Sequence, residues 1–218
     1  MAGPLMTRII AGIAKGRPLE VPPVGTRPTS DRVRESVFSS LEHVLGGWGG
    51  VKVLDLYAGS GAMGLESLSR GASSAVLVDT GNTACAVMRR NCSKLSLPGE
   101  VVHSKVHRFL AADADRQFDV VFMDPPYELP GVDVRDALDH LVAREWLAQG
   151  AVVVVERSQH DPEVDWPTGF VDVTRRRFGN TSVSRAVWYV SSDSDANADP
   201  HVGVVMHQVS DQADGSAV

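Results

Sequence analysis

Two periodicities divide the chain. Between Ser30 and Gly46 the apolar residues Val33, Val37, Leu41, Val44 and Leu45 recur at helical spacing, which predicts one amphipathic helix with Thr29 or Ser30 as N-cap and Gly46-Gly47 as its stop. From Val51 the pattern changes to short, continuously apolar runs separated by amphipathic stretches. VKVLDLYA, SSAVLVD, GEVVHS, FDVVFMD and AVVVVE read as five strands. Helices are expected through Arg70, across 82–96, near 106–112 and across 133–147. Runs that are apolar throughout suit a parallel sheet covered on both faces, so the pattern predicts an α/β fold. GFVDVTRRRFG and SVSRAVWYV then read as an antiparallel hairpin joined at Asn180-Thr181 and closing the sheet. Ahead of all this, residues 7–22 read as two short strands around a Lys15-Gly16 turn, an appendage with a Pro/Gly-rich connector through Pro28. Three segments are expected: 1–28 as extension and connector, 29–190 as the main domain, and 191–218 as a disordered acidic tail.

At 218 residues and 43% hydrophobic composition, the chain has material for one ordinary domain. Its longest aliphatic run, Ala151 to Val155, is far short of a bilayer span, and the N-terminus carries no apolar signal segment, so a cytoplasmic protein is expected. Cys85 and Cys92 match no C-x-x-C spacing and read as reduced thiols.

The net charge of −6 is unevenly spread. The tail holds five Asp and no Lys or Arg, leaving the body nearly neutral. Within that body, residues 7–34 carry six Lys/Arg against Glu20 and Asp31, and residues 175–185 carry four Arg and no acid. Basic segments flanking an acidic middle fit either a polyanion held at fixed places or ordinary solvated faces.

Two motifs carry chemistry. Asp55-Leu-Tyr-Ala58-Gly59-Ser60-Gly61-Ala-Met-Gly64 follows the first parallel strand as a G-x-G-x-x-G opening a helix, and Asp79 ends the next strand. The glycines allow a tight turn and a close ligand approach, and a carboxylate at Asp79 accepts from ribose hydroxyls. A nicotinamide dinucleotide would fit the same glycines. Asp55, four residues ahead of Gly59, instead suits the cationic amino acid end of S-adenosylmethionine. The second motif, Asp124-Pro125-Pro126-Tyr127, ends the fourth strand. A nucleobase amine is a weak nucleophile because its lone pair is delocalised into the ring. Asp124 and the Pro125 carbonyl would take its two N–H groups and turn the lone pair toward a methyl donor, with Tyr127 as a stacking face and two prolines fixing the turn.

DLYAGSGAMGLESLSRGA, VFMDPPY, TRIIAGIAKGRPLEVPP and TRPTSDRVRESVFSSL together resemble the RsmD-type family of 16S rRNA guanine-N2 methyltransferases, over about residues 7–190. The resemblance implies a Rossmann-like class I methyltransferase with a seven-stranded, mostly parallel sheet, S-adenosylmethionine as donor, no metal, and a guanine of the small ribosomal subunit as acceptor. It also implies that the N-terminal segment closes the cofactor pocket and holds RNA. On this reading Asp55, Ala58, Gly59, Ser60, Gly61, Gly64, Asp79 and Val106 bind the cofactor. RNA falls to Arg8, Lys15, Arg17, Arg27, Arg32, Arg34, Arg175 and Arg177, acting in a monomer. Asp79 stands where the family commonly has Glu, Lys105-Val106 where an Asn or Asp with Ala often meets the adenine, and the tail matches nothing in the family pattern. Two rival readings remain: a DNA amino methyltransferase, which shares the tetrapeptide but needs a long target-recognition region, and a non-catalytic RNA-binding assembly factor. His103 and His107 straddle a strand-to-helix change and are not expected to bind metal, and Trp188 and Tyr189 are expected to pack rather than stack on a base.

Overall fold

The structure is a computed structural model that describes residues 6–23, 30–126 and 129–190. Two short antiparallel strands, β1 (Met6–Arg8) and β2 (Pro18–Glu20), precede helix α1 (Asp31–Leu45). There follow β3 (Lys52–Leu56), α2 (Ala62–Arg70), β4 (Ser74–Asp79), α3 (Asn82–Leu95), β5 (Gly99–His103), α4 (Val106–Leu110), β6 (Phe118–Met123), α5 (Gly131–Ala143), β7 (Leu147–Ser158), β8 (Phe170–Phe178) and β9 (Thr181–Trp188). The main sheet has seven strands in the order β5-β4-β3-β6-β7-β9-β8, parallel from β5 to β7 and antiparallel through β9 and β8.

The apolar strands serve both faces because alternate residues point opposite ways. Val53, Leu77, Val120 and Phe122 join α1, α2 and α3 in one core. Leu54, Val76, Val121 and Met123 meet α4 and α5 in the other. Ser30 caps α1 by accepting from the Val33 N–H at 3.3 Å, and Gly46 ends it in a left-handed conformation.

Three expectations need correction. The N-terminal unit is not an appendage. Ile9, Leu19, Val37, Phe38 and Leu41 are buried in the first core, and Arg70 lies 4.7 Å over the Phe38 ring. Its β1–β2 connection is a nine-residue loop that contains the expected Lys15-Gly16 turn, closed by the Arg17 N–H on the Ala14 carbonyl at 3.1 Å, and that loop is fastened to α2: the buried Glu66 accepts from the Ile10 and Ala11 N–H groups at 2.7 and 2.9 Å, and Ser69 Oγ from that of Ala14 at 3.0 Å.

Helix α5 stops at Ala143, short of residue 147, because Trp146 turns inward to stack on Phe109 at 4.8 Å and Leu147 already pairs with Phe118. The last hairpin turns at Gly179-Asn180, and Thr181 belongs to β9 opposite Phe178. Trp188 is buried in the second core, whereas Tyr189 is 44% exposed. No helix among the described residues is long and apolar enough to cross a membrane.

Candidate active site

In a parallel sheet, a ligand crevice opens at the carboxyl ends of the strands where the strand order reverses. Here that point lies between β3 and β6, which are neighbours although α2, β4, α3, β5 and α4 separate them in sequence. A cavity of about 1130 Å³ opens there, lined by Asp55, Ala58, Gly59, Ser60, Asp79, Val106, Asp124, Pro125 and Pro126 among others. Pockets for one small molecule run to roughly 300–1,000 Å³, so this one lies just above that range.

The glycine loop is held by carboxylates. Asp79 accepts the Gly59 N–H at 2.9 Å through Oδ2 and the Gly81 N–H at 2.7 Å through Oδ1. Asp55, 3% exposed, accepts the Gly64 N–H at 3.0 Å. A Cβ on Gly64 would fall 2.2 Å from Leu77 Cδ2, so only glycine lets α2 approach the sheet this closely. Burial, with the negative charge of Asp79 nearby, raises the Asp55 carboxyl to about 7 despite the Gly64 bond. Such a group becomes a full anion most readily when a cation arrives beside it.

Across the crevice Asp124 and Pro126 are exposed and Pro125 is buried. The chain returns through Leu129, whose N–H bonds to the Pro126 carbonyl at 2.9 Å. The buried Arg157 holds that return by donating to the Leu129 carbonyl at 2.8 Å, and it pairs with Asp161 at 2.8 Å. Tyr127 lies outside the described residues.

A family model described as "Conserved hypothetical protein 95" matches residues 7–187. The chain belongs to that family. The Ribosomal RNA small subunit methyltransferase D of Escherichia coli K12 is 38% identical over 151 residues, 68% of this chain and 73% of its own length. The Haemophilus influenzae protein of the same name is 34% identical over 160 residues, covering 71% and 80%. Among solved structures, a Thermus thermophilus protein described as hypothetical is 31% identical with a TM-score of 0.70, covering 84% of this chain and 99% of its own. The T. thermophilus 16S rRNA N2 G1207 methyltransferase, solved with AdoMet and guanosine, has a TM-score of 0.62 at 22% identity, covering 85% and 50%. At that identity the likeness is one of fold.

The cavity of this family member also has walls that the sequence did not reveal. Asn91, wholly buried on α3, donates to the Ser60 and Glu20 carbonyls at 3.0 Å each and accepts the Glu20 N–H at 3.0 Å. It thereby ties the end of β2 to the glycine loop and sets Val21 and Pro22 in the cavity wall. Tyr57 lines the cavity at φ 61, a conformation uncommon for a non-glycine residue, and burial raises its hydroxyl to about 12. The partners of Asn91 lie 31 and 71 residues away, so no local spacing could have found it.

The basic residues divide. Arg34 is wholly buried and so is not presented to an RNA backbone. Arg17 spends its guanidinium on the Leu95 carbonyl at 3.1 Å and on that of Lys94, at the end of α3. Arg175 donates to the Asp161 carbonyl at 3.0 Å and pairs with Glu163 at 3.6 Å. Lys15 is exposed but sits by the C-terminal end of α2, where Ile13 and Ala14 bond to Ser69, about 13 Å of helix from the glycine loop. Arg8, paired with Asp31 at 3.0 Å, and Arg32 are exposed beside the start of α1. Arg177 is exposed on β8 opposite Ser182, which itself pairs with Arg157 at the cavity end of β7. Arg27 lies outside the described residues, as does the tail. His103 bonds to the Thr80 carbonyl at 2.9 Å, Cys85 and Cys92 form no disulfide, and no group that could hold a metal is present among the described residues.

Proposed function

We propose that the protein transfers a methyl group from S-adenosylmethionine to the exocyclic N2 amine of a guanine in the 16S rRNA of the small ribosomal subunit. The pairing of β3 with β6 carries this reading, because it sets the glycine loop and Asp124-Pro125-Pro126 on two walls of one cavity. The first wall suits the donor: the loop at Ala58, Gly59 and Ser60 borders the cavity, and Asp55 is a buried carboxyl whose raised hold on its proton falls when a cation arrives beside it. When bound there, the donor supplies an electrophilic methyl group. Asp55 faces its ammonium, Asp79 its ribose hydroxyls, Val106 its adenine, and Ala58, Ser60 and Gly61 shape the loop around it. Asp124 and the Pro125 carbonyl take the two N–H groups of the acceptor amine and direct its lone pair at the methyl carbon, with Tyr127 stacked on the base.

A base brought into such a crevice must have its flanking phosphates held, and Arg8, Arg32 and Arg177 are exposed arginines at that end of the sheet. The protein acts in the cytoplasm as a monomer. The experiment is incubation with labelled S-adenosylmethionine and unmodified small subunits, followed by mapping of the label. A single guanine labelled at N2 is expected. Label appearing in duplex DNA instead, or none despite donor binding, would return the choice to an amino methyltransferase of DNA or a non-catalytic assembly factor.

A further inference from the structure

Arg34 is the largest wholly buried side chain among the described residues, and its guanidinium is only partly satisfied. Nη2 donates to Thr7 Oγ1 at 2.8 Å, the Arg8 carbonyl at 2.6 Å and Asp31 Oδ1 at 2.8 Å. Nε and Nη1, equally buried, have no hydrogen-bond partner among the described residues. An arginine stays charged at every physiological pH, and a buried cation left short of acceptors is costly. The carboxylate paired with it, Asp31, is itself 43% exposed and shared with Arg8.

The position of Arg34 indicates what completes it. Arg34 is among the residues that border the cavity, as are Val21 and Pro22, which Asn91 fastens over the glycine loop at Ser60, and Asp55. The rest of the lining is rich in acid: Asp55, Asp79, Asp124, Asp133, Asp136 and Glu156. Besides two histidines, Arg34 and Lys105 are the basic residues among those lining the cavity, and Lys105 is exposed at the start of α4. A polynucleotide backbone would have to reach a side chain with no exposed surface. A small anion would reach it only from the cavity, and only once the groups that cover the guanidinium move aside.

We infer that Arg34 is a donor-positioning residue that binds the α-carboxylate of the S-adenosylmethionine amino acid end, opposite the ammonium faced by Asp55. This rests on the donor reading above. It gives the zwitterionic end of the donor a complementary pair of buried charges, and it makes the N-terminal hairpin, through Thr7 and the Arg8 carbonyl, part of the donor site.

The test compares S-adenosylmethionine with decarboxylated S-adenosylmethionine, which lacks only that carboxylate, by calorimetric titration of the wild-type protein, Arg34→Met and Arg34→Lys. Wild type should prefer the intact donor by about 10- to 100-fold, the loss expected for a charge-assisted hydrogen bond. Arg34→Met should bind the intact donor more weakly by a similar factor and the decarboxylated one within about threefold, with Arg34→Lys between them. A purely structural arginine would weaken both ligands alike, which overturns the inference. If neither variant folds, equal wild-type affinity for the two ligands overturns it just as well. Failure of the wild type to bind either ligand would instead remove the donor reading on which it rests.

Discussion

Asp79 and Gly59, twenty residues apart, meet through a 2.9 Å hydrogen bond from the Gly59 N–H to Oδ2, while the other oxygen of the same carboxylate holds the Gly81 N–H at 2.7 Å. One side chain thus fixes the loops after two adjacent strands before any ligand arrives. Each oxygen retains a lone pair for a further donor. Asp79→Ala removes both backbone anchors and, with them, the proposed ribose contact. The expected result is a folded protein with donor affinity lower by about 10- to 100-fold, read by calorimetric titration. An unchanged dissociation constant would take Asp79 out of the site.

If Asp55 faces the donor as proposed, donor binding should depend on pH. The Asp55 carboxyl titrates near 7, above the ordinary carboxylate value of 3.8, chiefly because it is buried. The folded state therefore holds the proton more tightly than the unfolded chain. The stability this contributes is complete below about pH 4 and is lost as pH rises through 7. Affinity for the cationic end of the donor runs the other way, rising through about pH 7 by up to about tenfold per unit on the acid side. Titrations across that range should show the rise in wild type and a flat profile in Asp55→Asn. A flat wild-type profile would mean that the carboxylate does not face the ammonium.

Asp124→Ala should separate turnover from binding. The acid lies on β6's side of the crevice, away from the glycine loop, so its loss should leave donor affinity within several-fold. Turnover on small subunits should fall by about two orders of magnitude or more, comparable to losing an oxyanion-hole donor. A variant that keeps most of its turnover would refute the amine-orienting role.

The arginine positions predict an asymmetric salt response. Replacing Arg32 and Arg177 by Ala should weaken subunit binding and flatten its dependence on salt, by about 0.7 in log–log slope for each phosphate no longer neutralised if the target is single-stranded. Replacing Lys15, at the far end of α2, should change neither. Binding measured over a salt series for both variants decides it. Equal effects would mean that the RNA footprint wraps around the N-terminal loop as well.

The layered fold and both chemical motifs were legible in the sequence because their signals are local: an apolar run bounded by glycine, a fixed spacing of small residues, a Pro-Pro turn after an acid. What escaped was everything that depends on contacts between distant segments. Glu66 reads as an ordinary helical acid until Ile10 and Ala11 fold onto it. Asn91 reads as a neutral helix residue, yet it joins three backbone groups. Arg17 and Arg34 counted toward a basic surface, but charge along a chain does not record that one guanidinium closes off a helix end and the other is buried beneath the hairpin.

The attachment of β1 and β2 bears on the order of assembly during synthesis. Residues 6–20 leave the ribosome early, but Glu66, Ser69 and Asn91, which accept their backbone N–H groups, follow 55 to 71 residues later. Closing so long a loop has little to reward it until β3, α2, β4 and α3 are in place. The segment made first is therefore expected to dock after the units made next, so a nascent chain halted before Asn91 would still hold an unfinished donor site.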